Sequence, residues 1–231
     1  MQEVEGLLDI LYLIAIRGLS TTLALTLVSL VFGFVVGTAL ALMRVYGPIE
    51  LQLIAKGYEK IFRGIPLLVL LFIFGSALLG LFMWAGSVIA ALFVAAVFAI
   101  ALRSAAYQSE IFRGSILSVD IGQMMAARSI GMTEMQATRH IILPQAFRLS
   151  LPGWTNEYAV VIKDTSLASA IGVTEMLYQA MAFTNAYPAL FLGIILVISI
   201  IYFVFTYPIT KYVGESMTAK LRQLGLGGGK Q

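Results

Sequence analysis

Residues 120–144 read DIGQMMAARSIGMTEMQATRHIILP and interrupt a chain that is otherwise strongly apolar. This stretch carries the charged side chains of Arg128, Glu134 and Arg139, and Gly131 separates two short helical patterns. Unpaired charges and open backbone groups are costly in lipid, so a polar loop of this length should lie outside the bilayer. The sequence therefore predicts a docking surface on one side of a membrane.

Composition indicates one integral membrane domain that covers residues 1–231. The chain is 60% hydrophobic and only 12% charged, whereas soluble domains carry about 25% charged residues. Basic loops on the cytoplasmic side account for the net charge of +3, which therefore does not indicate nucleic-acid binding. The chain has no cysteine and one histidine, so disulfides and clusters of cysteine or histidine metal ligands are excluded. The amino terminus, MQEVEGLLDI, is acidic where a cleavable signal peptide would be basic.

Five segments are predicted to cross the membrane. Four of them carry close to the 20 or so apolar residues that a spanning helix needs. In chain order these four are 19–43, 65–82, 83–102 and 189–207, and the second and third are close enough for a tight hairpin. The remaining segment, 149–173, is the fourth in chain order. It is less apolar and is predicted to be shielded from lipid by its neighbours. A short helix at the interface can also form over residues 7–16.

Basic residues predict the orientation of these spans. They cluster between the first and second spans, between the third and fourth, and after the last: Arg44, Lys56, Lys60 and Arg63; Arg113, Arg128, Arg139 and Arg148; Lys211, Lys220, Arg222 and Lys230. An odd number of spans places all three clusters on one side, whereas four or six would misplace one. The prediction is therefore an outside amino terminus and a cytoplasmic carboxyl terminus, which supports a span over 149–173 independently of hydropathy.

The polar loop resembles the EAA loop of ABC importer permeases, a pattern of Glu-Ala-Ala, then Gly, then Ile-x-Leu-Pro. Ala126, Ala127, Gly131 and Pro144 fall in that register. Further segments resemble the permeases for polar amino acids: FRGIPLLV at 62–69, AYQSEIFRG at 106–114, GQ at 122–123, LPQAFR at 143–148 and KDTSL at 163–167. The resemblance covers nearly the whole chain. Met125 stands where the family has its glutamate; docking is still expected, because the Ala, Gly and Leu-Pro parts remain, but the sequence does not imply a salt bridge at that point.

This resemblance implies an all-α, type I importer permease with about five transmembrane helices in a prokaryotic cell membrane. ATPase subunits would dock on the loop at 120–144, through Ala126, Ala127, Arg128, Gly131, Glu134 and Pro144. A second permease copy or close paralogue would complete the pathway, and an extracytoplasmic binding protein would deliver the amino acid. No GxxxxGK[ST] motif occurs in the chain, so ATP and its magnesium are expected on a separate subunit. The chain itself is then no enzyme and holds no cofactor or metal.

The residue types of the loop suit mechanical coupling. Gly131 permits a sharp bend, and Ala126 and Ala127 allow close packing. Pro144 is expected to end the second short helix and to start the next span at a fixed angle. The alternative is an ordinary cytoplasmic loop that is helical.

Two further patterns leave their interpretation open. Gly33 and Gly37 form a GxxxG pair that suits close helix contact, although small residues scattered in a transmembrane helix would give the same pattern. Pro66 either starts the second span or kinks it, and starting is the more usual role.

Segment 149–173 carries the candidate substrate site. Glu157 and Asp164 are seven residues apart, so their carboxylates share a helix face about 10 Å apart, and Asn156 and Lys163 share the adjacent face. Ionisable groups inside a membrane are functional candidates because they are costly there. The alternative is internal pairing, with Lys163 or Arg103 as the partner of either acid.

Two carboxylates suit a substrate with two positive charges, which predicts a cationic amino acid such as arginine, lysine or protonated histidine. Glutamine or another neutral polar amino acid is the alternative. A different class of protein, an ion-coupled secondary transporter, would use Glu157, Asp164 and Lys163 as a relay. The inverted repeat that is common in that class is not visible in this sequence.

Overall fold

The computed structural model describes residues 12–223, and over this range the regular backbone is helical, without a β-strand. The helix predicted over residues 7–16 falls partly outside the described residues. From Leu13 to Gly18 the chain forms a π-helical turn that continues directly into the first long helix.

Ten α-helices form the described part of the chain. They are α1 (Leu19–Tyr46), α2 (Ile49–Gly64), α3 (Leu67–Phe72), α4 (Val88–Leu117), α5 (Ile121–Ser129), α6 (Glu134–Ala137), α7 (Leu143–Asp164), α8 (Met176–Ala186), α9 (Phe191–Ile209) and α10 (Ser216–Gln223). Wider π-helical turns extend α3 over Ile73–Ala77, join α6 to α7 over Thr138–Ile142, and join α9 to α10 over Thr210–Glu215. Narrower 3-10 turns cover Leu79–Ala85, Thr165–Ile171 and Pro188–Leu190.

Three helical segments of the described chain are long and apolar enough to cross a membrane: Ile16–Tyr46, Val88–Leu117 and Pro188–Ala219. The third predicted span therefore begins at Val88 and not at residue 83, and it continues as one helix to Leu117. Ser87 sets this start, because its hydroxyl accepts a hydrogen bond of 3.2 Å from the backbone N–H of Ala90.

A sharp bend lies at the start of the second predicted span. Ile49–Gly64 and Leu67–Ala77 together are apolar enough to cross, but they meet at an angle of 98°. Ile65 is extended, as expected before a proline, and Pro66 is the residue at which α3 starts. The span predicted at 65–82 thus starts at this corner, and of the two roles left open for Pro66 the structure contains the start of a helix.

The segment predicted at 149–173 is helical, but its bounds differ. Helix α7 covers Leu143–Asp164 and is followed by the 3-10 turn at Thr165–Ile171, so the α-helix begins and ends earlier than the predicted 149–173. Pro144 does not end the helix before it, contrary to the sequence prediction. The π-helical turn at Thr138–Ile142 continues through Pro144 into α7, since a proline near a helix start has no N–H that needs an acceptor.

The core lies where α1, α4 and α7 meet α3. Its fully buried side chains include Leu25, Leu71, Ile100, Val161 and Ile162. A Cβ atom added to Gly37 would lie 2.8 Å from the carbonyl oxygen of Ala105, and one added to Gly33 would lie 2.6 Å from the amide nitrogen of Gln108. The GxxxG pair therefore serves the close approach of α1 to α4. This approach places α4 between α1 and α7, where it supplies partners to both.

Candidate functional site

The two acids of α7 share a face but have different partners. Glu157 is only 4% exposed, and its Oε1 accepts a hydrogen bond of 2.7 Å from the hydroxyl of Ser104. Asp164 forms an ion pair with Arg103, whose Nη1 lies 2.6 Å from its Oδ2. Among the described residues no Lys, Arg or His forms a salt bridge with Glu157. Of the pairings that the sequence left open, the structure therefore contains the one between Arg103 and Asp164.

Asn156 and Lys163 lie on an exposed face of α7. In the described part of the chain Lys163 forms no salt bridge. The four candidate substrate residues thus form two sets. Glu157 and Asp164 are buried or paired and face α4, whereas Asn156 and Lys163 form an open set that faces away from the core. The open set is available to a substrate or to another subunit.

A chain of buried polar side chains holds Glu157 in place, and sequence analysis did not identify it. The Ser104 hydroxyl that donates to Glu157 accepts a hydrogen bond of 3.1 Å from Nε2 of Gln108, and Nε2 also lies 3.3 Å from the carbonyl oxygen of Leu30. Oε1 of Gln108 accepts a hydrogen bond of 2.9 Å from the indole of Trp154. The signal for this chain was present, since Ser104 and Gln108 are polar residues one turn apart in an apolar helix.

Tyr107 lies between two guanidinium groups. The Cζ of Arg103 is 4.7 Å from the centre of the Tyr107 ring, and the Cζ of Arg63 is 5.3 Å from it. Both distances are within the range of a cation–π interaction. Arg63, from the FRGIPLLV segment, also lies 4.0 Å from Glu110. The corner after α2 is thus tied to α4, the helix whose Arg103 and Ser104 bind the two acids of α7.

The polar loop contains the predicted bend. Gly131 has a φ of +87°, a conformation that glycine adopts without the strain of a Cβ atom. The N–H of Met132 donates to the carbonyl of Ala127, and the N–H of Gly131 donates to that of Arg128, both at 3.1 Å. These two bonds close the end of α5. On the far side of the bend, Thr133 and Gln136 cap α6 by a reciprocal pair of hydrogen bonds.

The predicted coupling residues are placed differently within this loop. Ala126, Arg128, Gly131, Glu134 and Pro144 are exposed, whereas Ala127 is buried. Nη1 of Arg128 lies 4.0 Å from Oε2 of Glu134, so a weak ion pair spans the bend. Large apolar side chains are also exposed here, and sequence analysis did not single them out as a docking surface: Ile121, Met125, Ile130 and Met135. Apolar residues within a loop that lies outside the membrane were the signal for them.

The loop is attached to the helices that surround the acids. Ile142 and Ala146 are buried against Ile116 at the end of α4, and Leu42 and Val45 near the end of α1 pack against the same cluster. Because α7 continues directly from the loop, a displacement of the loop would be transmitted to α7 and hence to Glu157.

Comparison with known proteins identifies the family. Residues 31–210 match the model of the family described as binding-protein-dependent transport system inner membrane component. The chain belongs to this family. The probable amino-acid permease YxeN of Bacillus subtilis (strain 168) is 38% identical over 191 residues, which are 83% of this chain and 84% of that protein. The L-cystine transport system permease TcyB of the same organism is 43% identical over 163 residues, covering 71% and 68%.

A solved structure described as an amino acid ABC transporter with histidines has the same fold. It superposes with a TM-score of 0.77 at 36% identity, covering 88% of this chain and 92% of that one. This protein is therefore a multi-pass permease subunit of an ABC importer for polar amino acids, and its fold is that of the type I importer permeases. As a permease it is not an enzyme, because the ATPase of such a system is a separate subunit, and the family implies an ATPase and a binding protein as partners.

Family membership favours an ATP-driven permease over the ion-coupled secondary transporter that the intramembrane charges left open. The acids of α7 stand on the helix that directly follows the polar loop at 120–144.

Proposed function

We propose that this permease imports cationic amino acids and that Glu157 receives a positive charge of the substrate. The observation that carries the proposal is a carboxylate that is almost fully buried and has a hydroxyl, not a cation, as its partner among the described residues. A buried carboxylate that lacks a counter-charge is costly, and a substrate ammonium group would supply that charge.

Asp164 has a different role in this proposal. Its carboxylate already has a cation within 2.6 Å in the guanidinium of Arg103, which occupies the place that a substrate cation would take. A substrate with two positive charges would give its ammonium group to Glu157 and displace Arg103 from Asp164 with its side chain. The Arg103 and Asp164 side chains are each about one-fifth exposed, so the pair is within reach of a ligand from the open face of α7.

A neutral polar amino acid, such as glutamine, is the second candidate. It would engage Glu157 through its ammonium group and leave the pair of Arg103 and Asp164 intact. Similar permeases do not decide between the two, since one is named for L-cystine and the solved transporter is described with histidines. Histidine carries a positive side chain only when it is protonated.

The pathway is proposed to form between two permeases. The exposed face of α7 with Asn156 and Lys163 would face it, and a second copy or a close paralogue would close it on the other side. The amino terminus is placed outside and the carboxyl terminus in the cytoplasm. An extracytoplasmic binding protein would deliver the amino acid. ATP and magnesium would be bound by the ATPase subunits, which would dock through Ala126, Ala127, Arg128, Gly131, Glu134 and Pro144 and drive alternating access.

The test is uptake of labelled arginine and labelled glutamine by the complete transporter in liposomes. We expect the wild type to prefer arginine. Glu157→Gln should lower arginine uptake about tenfold or more, the effect of losing one charge-assisted contact worth about 1.4 kcal/mol, while basal ATP hydrolysis remains. Glu50→Gln is the matched control, because Glu50 is exposed and lies in the first turn of α2, outside the proposed substrate site. Import of only neutral or acidic amino acids by the wild type would refute cationic specificity.

A further inference from the structure

Helix α2 has the surface of a helix that lies at a membrane boundary. Ala55 and Glu59 are buried on one side, and Ile54 and Ile61 are more than half exposed on roughly the opposite side. Lys56 and Lys60 lie between these two sides and are exposed. An apolar face flanked by lysines is typical of helices in the headgroup region of a bilayer.

The bend after α2 supports this placement. The 98° angle between Ile49–Gly64 and Leu67–Ala77 means that both segments cannot run along the membrane normal. Leu67–Ala77 carries no charged side chain, so it is the segment that suits the bilayer core. Helix α2 starts at Ile49, three residues after α1 ends at Tyr46, which places its start at a membrane surface.

A cleft of about 490 Å³ opens between α2 and the last third of α4. Its charged lining consists of Arg44, Lys56, Glu59, Lys60, Arg63 and Glu110. The buried carboxylate of Glu59 forms an ion pair with Arg44 and accepts a hydrogen bond of 2.6 Å from Ser109. Glu110 is shared by Arg63 and Arg113. Both acids of the cleft are thus neutralised by arginines.

Lys56 and Lys60 keep their charge unbalanced. Neither forms a salt bridge within the described residues. They are one helical turn apart, a spacing that brings their Cβ atoms to about 6 Å. Because the Cβ atoms are this close, the two flexible side chains can both donate from their ammonium groups to one phosphate group.

We propose that this cleft binds the headgroup of an anionic phospholipid, with Lys56 and Lys60 holding the phosphate. A lipid suits the site better than a soluble anion, because the exposed apolar flank at Ile54 and Ile61 can contact acyl chains beside the charged cleft. The bound lipid would brace α2 against α4, next to the Arg63–Tyr107 contact. This proposal does not depend on which amino acid is imported.

The experiment measures lipid selectivity at the protein surface. The full-length permease, copurified with its ATPase subunits, is placed in phosphatidylcholine bilayers with a trace of spin-labelled phosphatidylglycerol or spin-labelled phosphatidylcholine. We expect the immobilised fraction to show a preference of about tenfold for phosphatidylglycerol, given the attraction of each lysine to an anionic lipid. Lys56→Gln together with Lys60→Gln should remove most of this preference, and Lys56→Arg with Lys60→Arg should keep it.

A second pair of charge removals provides the control. Arg148→Gln with Lys211→Gln removes the same charge from exposed positions outside the cleft and should leave the preference unchanged. An equal loss in both double variants would overturn the proposal in favour of general attraction between charges. Displacement of the labelled lipid by millimolar inorganic phosphate would also overturn it, because the site would then belong to a soluble anion. Elution volume and ATPase copurification verify that each variant is folded.

Discussion

The guanidinium of Arg103 lies 2.6 Å from the carboxylate of Asp164 and joins the middle of α4 to the end of α7. The next residue of α4, Ser104, holds the other acid of α7 through a hydrogen bond of 2.7 Å to Glu157. Two consecutive residues of one helix thus determine the environment of both acids of α7. One acid is paired with a cation and the other is not, which is the basis for assigning them different roles.

Removal of the Asp164 charge should destabilise the permease. Asp164→Asn leaves the partly buried guanidinium of Arg103 without its partner, at a cost on the order of 2–3 kcal/mol. The additional change Arg103→Gln should restore a large part of the stability, because the guanidinium that lost its partner is then also removed. Unfolding of the purified protein in detergent, followed by heating or denaturant, measures both effects. If Asp164→Asn alone were as stable as the wild type, the pair would have no structural role.

The placement of these acids could be predicted from the sequence, but their partners could not. The heptad spacing of Glu157 and Asp164 correctly placed both on one face of a helix. The same spacing did not select between Lys163 and Arg103 as partner, because a pairing across helices depends on the rotation and depth of α4 against α7. The contact of Ser104 with Glu157 depends on that same packing, so the polar pair of Ser104 and Gln108 in an apolar helix indicated buried partners without showing which residues they bind.

Replacement of Gly131 should uncouple ATP hydrolysis from transport. A Cβ atom at this position meets no neighbour within 4 Å, so the effect of Gly131→Val comes from its φ of +87°, which costs a β-branched residue about 1–3 kcal/mol. The loop would relax to another bend and present a different surface to the ATPase. We expect loss of ATPase copurification or of hydrolysis stimulated by the binding protein, with insertion into the membrane unchanged.

Ser129→Val is the control for this variant. Ser129 is exposed and belongs to α5, two residues before the bend, and a β-branched residue there needs no unusual backbone angle. Its coupling should resemble that of the wild type. Wild-type copurification and stimulation by Gly131→Val would exclude a role of the bend in docking.

Alanine at the two glycines of α1 should have unequal effects. The Cβ of Gly37→Ala would lie 2.8 Å from the backbone carbonyl of Ala105, whereas that of Gly33→Ala would meet the side-chain amide of Gln108 at 2.6 Å. The side chain can move and the backbone cannot without separating the helices. We expect Gly37→Ala to lower the free energy of unfolding by about 1–3 kcal/mol and Gly33→Ala to lower it less.

Gly114→Ala serves as the matched control on α4. No atom lies within 4 Å of its added Cβ, so this variant should be stabilised by about 0.5–1 kcal/mol through the helix preference of alanine. Equal stability changes at all three positions would mean that the close approach of α1 to α4 does not limit packing.

The sharp corner between α2 and the second span and the late start of α4 were beyond the sequence analysis. A hydropathy window averages the cost of transfer to lipid over many residues, so it shows neither the angle at which two helices meet nor the residue at which a helix starts. The corner depends on the extended Ile65 before Pro66, and the start of α4 depends on the hydroxyl of Ser87. Both are local backbone features. By contrast, the bend at Gly131 was predictable, because a glycine between two helical patterns has a direct conformational meaning.

The orientation of the chain is tested by reporters at two positions. Three basic clusters on one side of five spans predict that a reporter inserted within residues 120–144 is cytoplasmic and that one inserted within residues 174–187 is outside. Helix α7 decides the outcome, because it falls below the apolarity of the three long spans and yet must cross for the two reporters to lie on opposite sides. Paired fusions to alkaline phosphatase, which is active outside, and to green fluorescent protein, which is fluorescent in the cytoplasm, measure the two locations. Both reporters on one side would mean that α7 does not cross the bilayer, and Glu157 and Asp164 would then lose their place within the membrane.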